Sequence, residues 1–259
     1  MVVLYLAMVL AAQSVATDDE AWRPDAKSPI CVMNHDGRSS GTIEILRTPG
    51  NDETQLKLTV PKRPDLREGQ FREASLELSP SDRVMSDGGI SKHGKSLTIY
   101  AVTPDPTFLK KLSDATTLTF SVGDSAPVRV AIPSVASAVQ ALQDCENRKM
   151  IAYGIDPAAW HSLKSRPSPT QPVRNRFSAL DYPEAALREH VEFDAIIRLD
   201  IGTDGMVKRC SGLNPGDYKG FEIASCDVLK GAKFKPALDS AGTAISSPII
   251  YDVVFRIES

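Results

Sequence analysis

The chain has no Cys-x-x-Cys pair, no His-Glu-x-x-His run, no Gly-x-Ser-x-Gly elbow, no glycine-rich phosphate loop and no dinucleotide fingerprint. Each absence removes a chemistry: thiolate zinc sites, zinc proteolysis, serine hydrolysis, nucleotide hydrolysis and hydride transfer. A concentrated block of positive charge is missing as well. The net charge is −3 with acidic and basic residues interspersed, so no broad cationic face exists to neutralise phosphates, and nucleic acid is not an expected partner. Long hydrophobic runs are also lacking. The N-terminal apolar run Val2 to Ala12 is too short to cross about 30 Å of hydrocarbon as a helix, so no stable transmembrane anchor is expected. No cofactor, no metal and no catalytic residue are called for, and the chain reads as a binder and not an enzyme.

What the N-terminus does contain is a run without charge that ends in small residues, Ser14 and Ala16, directly before Thr17-Asp18-Asp19-Glu20. This is the pattern of a signal peptide over residues 1–16, cleaved after Ala16 or alternatively after Ala12, although the Lys or Arg of a secretory n-region is missing. An exported, periplasmic chain follows as the expectation. The cysteines Cys31, Cys145, Cys210 and Cys226 are an even set, which in an exported chain favours disulfides. Three connectivities are open to four cysteines. One pair brackets the N-terminal region and the other falls within the C-terminal third, so Cys31–Cys145 and Cys210–Cys226 respect a division into domains.

Residues 25–160 read as a β-rich domain. Thr42 to Leu46, Gln55 to Val60, Ala74 to Leu78, Ser96 to Tyr100, Thr117 to Ser121 and Val128 to Ile132 alternate with period two, which marks half-buried strands. Pro49-Gly50-Asn51-Asp52 and Asp87-Gly88-Gly89 between them carry turn chemistry, and an antiparallel sheet or small sandwich is expected. Helices are expected near Thr107 to Leu112 and from Ser134, as cap, to about Cys145. His35-Asp36 beside Cys31 reads as a solvated turn. Tyr153 to Trp160 reads as a short helix started by Asp156 and Pro157, docking the following segment on the first domain.

That segment, residues 161–176, reads as a Pro-rich linker, since Ser165 to Pro172 holds three prolines in eight residues and favours an extended spacer. Residues 177–259 form the second unit. Pro183 opens a short helix to His190, and Phe193 to Ile201 alternates, with Ala195, Ile197 and Leu199 on one face and Asp194, Ile196, Arg198 and Asp200 on the other, as in a one-sided strand. Asp204-Gly205 supplies a tight hairpin, and Met206 to Cys210 returns. A helix holding Ile223, Cys226, Val228 and Leu229 leads into Phe234-Lys235-Pro236-Ala237, and Pro248 to Ile257 is the last strand. The fold class is therefore α+β: a β-rich domain, then a three-stranded antiparallel sheet covered by a helix.

Tyr182-Pro183, Asp204-Gly205-Met206-Val207, Cys210-Ser211-Gly212 and Phe234-Lys235-Pro236-Ala237, followed by Gly242 and a final strand, resemble the C-terminal domain of the TonB energy transducers in order and spacing. The resemblance implies a periplasmic module that takes a short peptide from an outer-membrane TonB-dependent receptor, or another envelope protein, as an added strand on an open sheet edge. The final strand is the expected edge, with Ile249, Tyr251, Val253, Val254, Phe255 and Ile257 as its binding residues. Two departures argue against active transduction: the apolar run is too short for a membrane helix, and an eight-residue spacer reaches only about 25 Å in polyproline form. The alternative is a disulfide-stapled structural or scaffold envelope protein that homodimerises through the same edge. An exported hydrolase built on His161 or His190 is disfavoured, because no activated nucleophile accompanies either.

Overall fold

The alternating runs of the first half pair into one antiparallel sheet. In the computed structural model, which describes residues 21–37, 41–79, 82–214 and 219–257, its strands are β1 (Arg23–Pro24), β2 (Cys31–Asp36), β3 (Thr42–Arg47), β4 (Thr54–Pro61), β5 (Gly69–Ser79), β6 (Asp82–His93), β7 (Ser96–Thr103), β8 (Thr117–Val122) and β9 (Val128–Ala131). Their spatial order is β1-β2-β3-β4-β7-β6-β5-β8-β9. Helix α1 (Phe108–Ser113) and helix α2 (Val135–Ala152) cover one face. Phe108 and Leu112 from α1 and Val135, Ala138, Val139 and Leu142 from α2 share one buried cluster with Ile43, Leu58, Leu76, Ile99 and Phe120 of the strands. The proposed signal peptide, residues 1–16, lies outside the described residues, and no described helix is long and apolar enough to cross a membrane.

Four local expectations are corrected. Asp87-Gly88-Gly89 is not a turn but the middle of β6; a Cβ on Gly88 would stand 2.5 Å from the Tyr100 carbonyl oxygen and one on Gly89 would meet the Tyr100 ring, so these glycines permit close strand approach. His35 is not solvated: it belongs to β2 and stacks on Trp22 with ring centroids 5.1 Å apart. Ser134 does precede α2, yet its side chain makes no capping bond and its backbone is left-handed, with φ 52°. Helix α2 also runs past Cys145 by two further turns, to Ala152, and that extension reaches toward the second unit.

The chain then forms α3 (Pro157–Ser162) and β10 (Ser168–Pro169), followed by α4 (Glu184–Arg188), β11 (Phe193–Ile201), β12 (Val207–Gly212), α5 (Lys219–Leu229), β13 (Phe234–Lys235), β14 (Ala237–Leu238), β15 (Ala244–Ile245) and β16 (Ser247–Phe255). Asp156 starts α3 by accepting from the Ala158 N–H at 2.9 Å. Residues 161–176 do not hang free. β10 pairs with β13, Thr170 N–H donates to the Lys233 carbonyl, and Arg166 sits over the Trp160 ring while bonding Asp52 at 2.7 Å.

The second sheet has the order β12-β11-β16, all antiparallel. On one face α5 brings Phe221, Cys226 and Leu229 against Ala195, Ile197, Leu199, Ile249, Tyr251 and Phe255. Ile223 stays exposed on the outer side of that helix. The opposite face is covered too, which corrects the one-sided reading. Ile196 and Ile250 pack with Ile30, Val32, Leu46, Met150, Ile155 and Trp160 of the first domain, and Arg198 donates to the Tyr153 and Gly154 carbonyls at 2.7 and 3.0 Å. Ile196 among Asp194, Arg198 and Asp200 was the sign of this contact.

Candidate protein-binding edge

The residues that carry the sequence resemblance hold the second unit together. Tyr182 lies edge-on to Phe221 and Phe255, with centroids 5.7 and 5.5 Å away, and its hydroxyl donates to the Val191 carbonyl at 2.7 Å. Pro183 precedes α4 as its cap residue. Gly205 supplies the single left-handed residue of the hairpin, φ 74°, while the Asp204 carboxylate accepts from the Met206 N–H at 3.1 Å. Gly205 is also the docking point of the Phe234 to Ala237 segment. Its carbonyl accepts from the Phe234 N–H at 3.0 Å, and a Cβ at Gly205 would lie 2.1 Å from the Phe234 oxygen. Phe234 and Ala237 are buried, and Pro236 turns the chain beside Gly205. These positions therefore build the module, and none of them presents a side chain as a ligand.

Both disulfides form as expected, Cys31–Cys145 with a Cα separation of 5.9 Å and Cys210–Cys226 with 5.7 Å. The first ties α2 to β2 and the second ties α5 to β12.

In the three-stranded sheet β12 and β16 are the edges. On β12, the Gly212 N–H donates to Glu222 of α5 at 2.8 Å, and Lys208 pairs with Asp204. On β16, the residues named from sequence divide into two sets. Ile249, Tyr251 and Phe255 are buried under α5 and Val253 packs against them. Val254 is 53% exposed on the opposite face. Ile257 lies beyond the strand, with its N–H donating to Glu192 at 3.0 Å. Arg256 closes the same end of the sheet through an ion pair with Asp194 at 2.6 Å.

Backbone direction sorts the strand differently from side-chain face. In an antiparallel ladder, residues alternate between pairing inward and pointing both N–H and C=O outward. Ile250 points outward: its N–H donates to the Gly50 carbonyl at 3.3 Å, and its carbonyl accepts from the Asn51 side-chain amide at 3.0 Å. Asp252 and Val254, two and four residues on, share that direction. The outward-pointing groups thus belong to Ile250, Asp252 and Val254, of which sequence reasoning named only Val254. The signal for the other two was the pairing alternation of an edge strand.

Electrostatics marks the same stretch. Burial pushes the Asp252 carboxyl up to about 7, reinforced by the Asp194 carboxylate and opposed by Lys57 and Arg256. Burial raises Glu53 at the neighbouring turn, with Arg174 and Arg47 pulling the other way, and the Tyr251 hydroxyl is raised by burial and by Glu53. Asp252 and Glu53, both with their charged forms disfavoured, therefore lie where β16 meets the first domain.

Residues 178–257 match the family Gram-negative bacterial TonB protein C-terminal. The match spans the second unit, from the turn before Tyr182 to the end of β16, and the TonB-type module lies within it. Comparison with curated proteins and with solved structures returns no match. The two histidines weighed from sequence stand apart from β16. His161 lies on α3 with its Nε2 3.2 Å from Asn147 Oδ1, and His190 follows α4 in a left-handed conformation, φ 55°.

Proposed function

We propose that the protein is an exported, periplasmic TonB-like binding protein that takes an extended segment of an outer-membrane transporter, or of another envelope protein, as an added strand on β16, and that it is not an enzyme. The observation that carries this reading is the edge position of β16 together with the outward groups of Asp252 and Val254, which take no hydrogen bond among the described residues. Unpaired backbone N–H and C=O groups in a row are satisfied by another backbone, and strand addition draws affinity from that main-chain pairing. Two residues offer four hydrogen bonds, each worth about 0.5–1.5 kcal/mol net, which suits a modest and reversible grip. The match of residues 178–257 to the TonB C-terminal family supports the same mode.

Cross-linking and affinity capture of the full chain from periplasm and outer membrane, followed by mass spectrometry, tests this. Recovery of a transporter or another envelope protein is the expected outcome. Recovery of the chain alone, as a stable homodimer, transfers the edge to the scaffold role instead.

A further inference from the structure

Resting on strand addition at β16, a closer assignment follows from what already occupies that edge. Residues 48–53 form the turn between β3 and β4, and they reach across from the first domain to Ile250. Gly50 gives its carbonyl and Asn51 its side-chain amide, so together they do for Ile250 what one residue of an added strand would do. The turn is held from several directions. Asn51 N–H donates to the Thr48 carbonyl at 3.1 Å, the Glu53 N–H donates to Asn51 Oδ1 at 3.0 Å, Arg47 donates to the Asp52 carbonyl at 2.6 Å, and Arg166 grips the Asp52 carboxylate at 2.7 Å. Gly50 has φ 74°, and a Cβ there would lie 2.7 Å from Ile155 Cδ1 and 3.6 Å from Ile250. Only glycine fits between the two domains at this point.

Upstream of Ile250 the edge offers no donor, because the next outward residue is Pro248. Downstream, no hydrogen bond among the described residues takes the outward groups of Asp252 or Val254. We propose that the turn 48–53 is a stop that fixes the register of the partner: an added strand pairs with Asp252 and Val254 alone and ends against Gly50 and Asn51. The chemistry of the partner follows from the neighbours it meets. A residue opposite Val254 shares its exposed face, so an apolar or β-branched side chain fits there. Opposite Asp252, whose buried Oδ1 has no hydrogen-bond partner among the described residues, a side chain that donates a hydrogen bond fits.

Amide exchange of the full chain, read residue by residue by NMR without any partner, is the first half of the test. Ile250 is expected to exchange at least about a hundredfold more slowly than Asp252 and Val254; equal rates at the three amides overturn the stop. The second half compares Asn51→Ala with the unaltered chain in capture from solubilised outer membrane. Removing the Asn51 amide frees the Ile250 carbonyl as one further acceptor while its N–H stays on Gly50, so retention of the captured protein is expected to rise about fivefold to tenfold, as one more net hydrogen bond gives. Unchanged retention, with the variant folded as stably as the unaltered chain, overturns the register while strand addition stands. If neither chain retains an envelope protein, strand addition itself fails, and the register fails with it.

Discussion

The two sheets of this protein end in different ways. The nine-stranded sheet finishes in β1, two residues long and containing Pro24, and in β9, four residues long with Arg129 exposed. Short, proline-bearing or charged edges discourage pairing with other chains. The three-stranded sheet finishes instead in β16, a nine-residue strand whose outward groups are partly taken by the first domain and partly left open. Among the described residues the outward groups in the second half of this long edge take no hydrogen bond, whereas the large sheet blunts both of its edges, and this contrast is what the proposed strand addition rests on. The first domain covers the second face of the small sheet and bonds Ile250 on its edge, and under the proposal that contact sets how far along β16 a partner can reach.

Four perturbations break or sharpen this contrast. The largest effect falls on the staples, because their loops differ so much. The cysteine pairs are 114 and 16 residues apart, for which chain entropy gives about 4.7 and about 3 kcal/mol. Replacing Cys31 and Cys145 by Ser should therefore lower stability to urea more than replacing Cys210 and Cys226; the opposite order would mean that the module, and not the first domain, depends on its cross-link.

The next effect concerns Asp252. Its folded pKa of about 7 lies above the ordinary carboxylate value, so the folded state favours the protonated form. Stability from this group is complete below the unfolded pKa of about 3.9 and is lost as the pH rises to about 7, by at most about 4 kcal/mol. Asp252→Asn should leave stability at pH 4 nearly unchanged and raise it at pH 8. Parallel pH profiles for the two chains in urea unfolding would remove the burial account of this edge acid.

Val253→Pro and Val254→Pro separate the two sides of one strand. Val253 pairs inward with Ala195 of β11, so proline there deletes a ladder bond and should cost about 3 kcal/mol. Val254 points its N–H outward, and proline there is expected to change the melting temperature by only a few degrees. Equal losses for both, measured by thermal unfolding, would show that the outward assignment of Val254 is wrong.

The smallest effect is at Tyr182. Its hydroxyl bond to the Val191 carbonyl is half-buried, so Tyr182→Phe should lose about 1 kcal/mol while keeping the edge-on ring contacts. A loss several times larger in urea unfolding would give the hydroxyl a part in the module beyond this single bond.

Much of this architecture was legible in the chain because it rests on local pattern. Period-two runs marked six strands of the large sheet, the helical spacing of Val135, Val139 and Leu142 marked α2, and the positions of the cysteines marked both pairings. The misses share a physical cause, which is that long-range contact overrides local chemistry. Asp87-Gly88-Gly89 has the composition of a turn, yet the approach of Tyr100 makes those glycines strand residues. Ile196 stands in sequence among Asp194, Arg198 and Asp200, and only the packing of the first domain accounts for its burial together with Ile250. At the candidate edge, the side-chain alternation of β16 pointed to Ile249, Tyr251 and Phe255, which are buried. Strand addition depends on the backbone groups of the intervening residues, and their availability is decided by a turn 199 residues away in sequence.

The most direct test of the central claim is capture from outer-membrane extract by the unaltered chain and by Val254→Pro side by side, with thermal unfolding of both as the control. Strand addition on β16 requires that the variant fold normally and lose the envelope protein that the unaltered chain retains. Equal retention by two equally stable chains would contradict it and move the binding site off this edge.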